Sequence, residues 1–538
     1  MKVRVPGTRL YVLVSALILA VVMTGCSPGE TPAHETPRQV PQEPAKVPTT
    51  TDQAEFKEIH SYEIDGQLWT LNPGQTISPD SRWVLATQTD ADGTRVIALP
   101  LAENPAGAQV LHSADRNWTE NRLFGYYPLG WTSPRRCLFL VQGWQNAGPH
   151  KGKSGIAIYE SDLGDRGAIT DEVAFIELRN GMVKSAFLVT GTKKVYLHVS
   201  KTIWECDLNS RKTRVVADGL PVYDGLFFVK PSPDGRYFAY DLYEDGAHGV
   251  YILDSETGVQ RPLLPTSETM SFFPAWSPDG KYIAAYTVRK KSKPQEASGQ
   301  GPLWQSYDVL EGEDGSQPVA DAITVVDTTG RVVQTIRVEG QKVGYFRWGP
   351  RSNAIGFLSG SVQTVEGGIG QLQAEGVWLV PSGEGLSKEA HAEPLRLATI
   401  ERSKPDENVY AMVWGVDPDG GGVLYNELRP DKALIKHARL ESSKDGPDEL
   451  EGDFADWGME YQRGDIPIAT VQTLDGSAVW AFRPTGRQEI VRFRPNRHTM
   501  VLGYNGNVLA VADCPLWSPE MAKPGAKVDK GVVKVFMR

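Results

Sequence analysis

The sequence predicts an all-β protein assembled from one copied supersecondary unit, on three observations. A Ser-Pro-Asp-Gly turn stands intact at 232–235 and 277–280, at the mouth of a short apolar run. Weakened copies stand at 78–81, 132–135, 348–351, 417–420 and 494–497, and residues 190–198 supply the turn without the Pro. The 538 residues include 54 Gly and 37 Pro, which fits a turn-rich β chain.

The first stretch is not part of that fold. Lys2, Arg4 and Arg9 precede the apolar run 10–23, which ends in Met-Thr-Gly-Cys. The run is too short to span a bilayer comfortably and suits a signal h-region. Small residues before a Cys resemble the lipobox of bacterial lipoproteins, with Met23 where Leu is more usual. This resemblance implies a signal peptide over 1–25 and lipid on Cys26. Residues 26–55 carry six Pro among Thr, Glu, Gln and Ala, and too few apolar side chains to fold, so they read as a tether.

Each copied unit has a physical logic. Pro presets φ, Asp bonds nearby backbone and Gly accepts φ > 0, so Pro79, Asp80, Pro233, Asp234, Gly235, Pro278, Asp279, Gly280, Pro418, Asp419 and Gly420 are turn residues with a structural role. After the turn, Tyr237, Ala239 and Asp241 share one strand face and Phe238 and Tyr240 the other. A second run ending in Asp and a further turn follows, as at 250–258, 202–212 and 322–331. Ala239, Ala284 and Ala285 are small enough to let neighbouring sheets approach.

These motifs resemble the TolB-like (WD40-like, PD40) β-propeller repeat family over residues 56–538. The resemblance implies four-stranded antiparallel blades around a central channel. The turn sites from Pro79 to Pro495 number about eight blades, or seven if a poorly marked unit such as 190 or 494 is set aside. Residues 58–71 and 531–538 read as strands, and in such propellers one terminal strand often completes the blade at the other end, which removes an exposed sheet edge.

The net charge is −10, and removing 1–25 takes away three cations and no acid. An acidic surface argues against nucleic acid as a partner. Beyond Cys26 the thiols are Cys137, Cys206 and Cys514, whose spacing matches no zinc motif. They read as buried free thiols, with a Cys137–Cys206 bridge as the alternative.

No nucleophile elbow, P-loop, H-E-x-x-H or EF-hand loop is present, and the chain ends with the propeller, leaving no room for a peptidase domain. The histidines recur at no single repeat position, so no metal or other cofactor is expected. The informative departures are three stretched connections on one face: 142–155, 289–321 and 360–376. Trp144, His150, Trp304 and Tyr307 within them are the candidate binding residues, since exposed aromatics stack on sugars or anchor protein partners. A fourth stretch, 441–465, is acidic with interspersed aromatics and opens on the opposite face.

The function expected is therefore a non-catalytic, lipid-anchored extracytoplasmic scaffold that binds an envelope protein or glycan. A channel-based polysaccharide lyase or hydrolase, and a sensor or solute-binding lipoprotein, are the alternatives.

Overall fold

The turn chemistry is visible in the backbone. The fourth turn residue is left-handed in six successive or near-successive units: Ser81 (φ 60), Lys193 (φ 52), Gly235 (φ 71), Gly280 (φ 72), Ser352 (φ 57) and Gly420 (φ 73), the Ser352 turn running over 349–352, one residue later than the sequence places it. Three of these are not glycine, so the copied geometry outlasts the residue best suited to it. The Ser that opens the turn donates to the turn Asp, at 2.6 Å in Ser78–Asp80, 2.5 Å in Ser232–Asp234 and 2.6 Å in Ser277–Asp279. The same Ser oxygen accepts the N–H of the first residue of the following strand, as from Tyr237 and Tyr282 at 2.9 Å.

The computed structural model describes residues 55–538 except 71–74, 91, 103–106, 116–124, 145–148, 166, 179–182, 221–228, 245–246, 265–268, 290–318, 365–369, 384–391, 405–406, 408, 431, 441–447, 453, 456–465, 474–475, 484–485, 496 and 516–528. Among the described residues the strands form nine four-stranded antiparallel sheets. Eight are consecutive: blade 1 (67–115), blade 2 (125–177), blade 3 (183–217), blade 4 (230–262), blade 5 (269–336), blade 6 (342–399), blade 7 (410–452) and blade 8 (454–492). Blade 9 takes its first three strands from 497–537 and its fourth from the N-terminal strand Lys57–Ile64, which pairs antiparallel with Gly531–Met537. The ring closes where Thr76 donates to Leu502 O (2.5 Å) and Asn505 to Ser81 Oγ (2.7 Å).

The chain is thus an all-β propeller, with nine blades rather than about eight. Two features of the sequence hid the ninth. Blade 8 joins its first two strands through 456–467, which carries no Ser-Pro-Asp-Gly, so turn counting gives no sign of it. The site at 494–497 is not a turn inside a blade, because it lies between the last strand of blade 8 and the first of blade 9. The equivalent turn of blade 9 is the tight Asn505–Asn507, where Asn505 Oδ1 accepts the N–H of Val508 (2.9 Å).

The first strand of each blade lies innermost and the fourth forms the rim. Rim strands carry the exposed aliphatics Ile59, Val110, Ile169, Val215, Val332 and Leu395. Second strands are buried on both sides, as in Arg136–Trp144, where residues 137–143 are all buried. The core therefore sits between blades. Phe238 and Tyr240 pack on Tyr196 of blade 3, whereas Ala239 packs on Trp276 and Ile283 of blade 5. Cys137, Cys206 and Cys514 are buried free thiols in this core. Cys137 packs toward blade 1 and Cys206 toward blade 2.

A staple recurs at the blade boundaries. The Trp just before the turn donates its indole N–H to a carbonyl of the preceding blade: Trp131 to Thr76 (2.6 Å), Trp276 to Lys230 (3.0 Å) and Trp348 to Ala275 (3.1 Å). Each satisfies an indole N–H at the blade boundary with a backbone carbonyl that can take a second bond, as Thr76 O also accepts the Leu85 N–H (2.9 Å).

Candidate binding face

Strand direction sorts the connections by face. The turn joining first and second strands opens on one face, called here the turn face, with the connection between third and fourth strands. The connection between second and third strands opens on the other, the loop face. The stretched connections of blades 2, 5 and 6 all belong to the loop face. Trp304 and Tyr307 lie outside the described residues, as do Cys26 and the tether.

In blade 2 the second strand runs to Trp144 and the third resumes at Ser154, with the two residues paired across the hairpin. Trp144 is half-buried. His150 does not project freely. Its ring stacks on Phe175 at 3.8 Å, and Nε2 lies 2.7 Å from Glu172 Oε1. Lys153 adds an ion pair to Glu177 (2.8 Å). These contacts fasten the connection to the rim strand Gly167–Glu177.

In blade 5 the insertion is pinned at both roots. Asp321 accepts the Arg289 N–H (2.8 Å) and pairs with Lys342 Nζ (2.6 Å). Burial alone works to raise the Asp321 pKa, but Lys342 and the Arg289 N–H outweigh it and hold the carboxyl below its usual range. Ala320 exchanges both backbone bonds with Val343, on the first strand of blade 6. Val343 turns these groups away from its own blade, so the returning chain runs along the channel-side edge.

In blade 6 the sequence predicts a stretched loop over 360–376. The structure instead continues both strands, Ala354–Thr364 and Gly370–Pro381, as one long hairpin, because alternating apolar residues such as Val362, Leu372 and Ala374 find cover on blade 7. A polar chain holds its base. Trp378 Nε1 donates to Ser359 Oγ (2.6 Å), Ser359 to Gln341 Oε1 (2.5 Å), and Gln341 Nε2 to Glu375 Oε2 (2.9 Å).

The sequence marks only a structural turn in blade 7, whose loop face is its most highly charged part. Arg429 is nearly buried and meets Glu407 (3.0 Å), the fully buried Glu427 (2.7 Å) and the Glu401 carbonyl (2.7 Å). Lys436 bridges Glu427 (3.0 Å) and Glu449 (2.9 Å). Burial opposes the Arg429 charge, but its two carboxylates prevail and raise its pKa. The Ser403 N–H and then Arg429 hold Glu407 low. Beside this frame Tyr410 is 41% exposed, the only large apolar or aromatic side chain so exposed on an inner strand among the described residues. Its one sequence signal was an aromatic opening an inner strand, which repeat reasoning assigns to packing.

Such an arrangement suits binding: rigid roots, fixed charges and an open aromatic. Among the described residues no group of three or more His, Cys, Asp or Glu side chains is placed to hold a metal, and no helix is long and apolar enough to cross a membrane. The histidines with the most perturbed titration, His112 and His198, are pushed down to about 4 by burial and lie apart, in blades 1 and 3.

No family model matches the chain. It is similar to solved propellers. An oligogalacturonate lyase from Vibrio parahaemolyticus is 11% identical, with 77% of this chain and 96% of that one covered and a TM-score of 0.35. The Agrobacterium tumefaciens protein assigned as TolB is 15% identical, with 53% and 85% covered and a TM-score of 0.29. Dipeptidyl peptidase 4 of Porphyromonas gingivalis is 10% identical, with 86% and 66% covered and a TM-score of 0.44. At such identities a propeller carries no particular activity with it.

Proposed function

We propose that this chain is a lipid-anchored extracytoplasmic propeller that binds an envelope protein through its loop face and catalyses nothing. One observation carries the reading: the stretched connections of blades 2, 5 and 6 share a face, and each is rooted by specific contacts rather than left as a bare turn. Retaining three insertions on one side of a ring is the pattern of a binding surface. The anchor rests on the residues before Cys26, and the interaction role rests also on the likeness of the Ser-Pro-Asp-Gly units to TolB-like (PD40) repeats, a class that often serves as a platform.

The N-terminal strand begins on the turn face. Lys57 pairs with Met537, and the next residue, Arg538, donates its N–H to Asn507 in the blade 9 turn (3.0 Å). A tether attached there leaves the loop face unobstructed. In-cell photo-crosslinking from the Trp144 position, with Arg82 on the turn face as control, tests the binding role. A discrete protein adduct from Trp144 alone is expected. No protein adduct, together with co-sedimentation of the purified chain with envelope polysaccharide, overturns it in favour of a glycan role. Acyl labelling that is lost in Cys26→Ser tests the anchor separately.

A further inference from the structure

We propose that Arg347, at the turn-face end of the central channel, binds the carboxylate or phosphate of a small acidic ligand. The site is separate from the loop face and stands or falls independently of the scaffold reading.

The inner strands build the channel wall, and its charge runs against that of the chain. The chain as a whole carries −10. The described inner strands nevertheless hold Lys184, Lys230, Lys342, Arg347 and Arg497, and no Asp or Glu. Two of these cations are answered from outside the inner strands, Lys342 by Asp321 (2.6 Å) and Arg497 by Asp513. Arg347 has neither a hydrogen bond nor an ion pair among the described residues.

The strand holds Arg347 where a ligand can reach it. A β-bulge between Gly344 and Arg347 breaks the alternation of the strand. Lys342, Tyr345 and Arg347 keep partial contact with water, whereas Val343 and Phe346 are buried. An inner strand meets water only through the channel and its mouths, and no guanidinium nitrogen of Arg347 is sealed in the packing. Tyr286 of blade 5 fixes the bulge, its hydroxyl accepting the Phe346 N–H (2.9 Å). Crowding by protein pushes the Arg347 pKa below its usual range, opposed only by the nearby Tyr286 phenol. A cation so placed gains from an arriving anion, and its planar fork matches carboxylate and phosphate oxygens.

The surroundings leave this position to an outside anion. Lys230 in blade 4, Ala275 in blade 5 and Arg347 each stand two residues before the turn, so two cations flank a small side chain at one level. The turns beside Arg347 at this mouth, 277–280, 349–352 and 417–420, have their carboxylates committed elsewhere. Asp279 accepts from Ser277 (2.6 Å), and Asp417 and Asp419 accept from Arg439. The long insertion 289–321 opens on the opposite face. A neutral ligand would leave the guanidinium unanswered.

The test titrates the full chain calorimetrically with inorganic phosphate, with citrate and with glucose, at constant ionic strength. One saturable site for phosphate or citrate and none for glucose is expected, and the anion that binds tells phosphate chemistry from carboxylate chemistry. Arg347→Gln should weaken that binding roughly tenfold or more. Arg351→Gln, which removes the same charge from an exposed position on the turn of the same blade, should leave it intact. Equal losses in the two variants would mean diffuse attraction and overturn the proposal, as would no saturable binding of either anion. Arg347→Gln breaks no bond among the described residues, so Tm should hold or rise. A clear fall in Tm without anion would assign Arg347 a structural role and also overturn the proposal.

Discussion

Trp348 donates its indole N–H to the carbonyl of Ala275, 3.1 Å away, and so ties the inner strand of blade 6 to that of blade 5. The same bond recurs from Trp131 to Thr76 and from Trp276 to Lys230. Removing it takes away a bond between the inner strands of neighbouring blades, while the aromatic surface does the packing. Trp348→Phe keeps most of the packing and is expected to cost about 1–2 kcal/mol, and Trp348→Ala about 3–5 kcal/mol. Urea unfolding of both variants checks the ranking, and equal costs would show that the bond contributes nothing.

Blade 7 departs from the repeat in one residue, and three others answer it. Asp417 stands where blades 1, 4 and 5 have Ser78, Ser232 and Ser277, so it cannot donate to the turn Asp. Arg439 instead bonds both Asp417 and Asp419, and His437 Nε2 lies 2.9 Å from Asp417 Oδ1. The glycine run after the turn makes room for this cluster, since a Cβ on Gly422 would lie 2.4 Å from Asp417 Oδ2 and 2.9 Å from Arg439 Cγ. Restoring the repeat residue, Asp417→Ser, is therefore expected to destabilise by about 3–5 kcal/mol, because it leaves the buried Arg439 short of its counter-charge. The pair Asp417→Ser with Arg439→Leu should cost less than the sum of the singles, as a double-mutant cycle in chemical denaturation would read directly.

These two cases show what the sequence disclosed and what it withheld. Turn chemistry is local, so Pro233-Asp234-Gly235 and its relatives were legible, and even Lys193 kept the left-handed geometry that its neighbours implied. Blade 8 was not legible, because 456–467 stands between its first two strands without the Ser-Pro-Asp-Gly signal, and a repeat without its punctuation gives no sign. The candidate binding face was half legible. Long connections are visible as spacing, which marked blades 2, 5 and 6. Blade 7 has no insertion between its second and third strands, and its Arg429 frame joins residues from three strands and a loop that only the fold brings together. His150 was read as an open side chain because nothing in the chain order places Phe175 beneath it.

His198 supplies a pH dependence whose sign is determinate. It is buried in blade 3, where neither ring nitrogen makes a well-formed hydrogen bond and the Ser200 backbone gives only a weak contact that opposes the shift. Burial, aided by the Lys184 charge, pushes its pKa down to about 4 from an ordinary 6.5. The unfolded chain therefore binds the proton more readily. The stability tied to the neutral ring is fully present above about pH 6.5 and is lost as pH falls toward 4. His198→Leu should be neutral or stabilising at pH 7.5, since no well-formed bond is lost. It should also flatten the decline in stability between pH 6.5 and 4 by on the order of 1–3 kcal/mol. An unchanged slope would mean that His198 is protonated in the folded state.

The thiols test the core and the anchor together. Burial, the leading cause for all three, pushes Cys206 and Cys514 up to about 11 and Cys137 higher still. Thiolate is the reactive species, so none should react with an aromatic disulfide reagent in the native protein at pH 8. On unfolding in denaturant without reductant, the mature chain should release three thiols, since acylated Cys26 has none to offer. A fourth thiol, reactive already in the native state, would mean that Cys26 is free and the protein is not lipid-anchored. One thiol in place of three would mean that two of the buried cysteines pair, against the structure. The two failures differ in count and in native reactivity, so one titration distinguishes an error in the anchor from an error in the packing between blades.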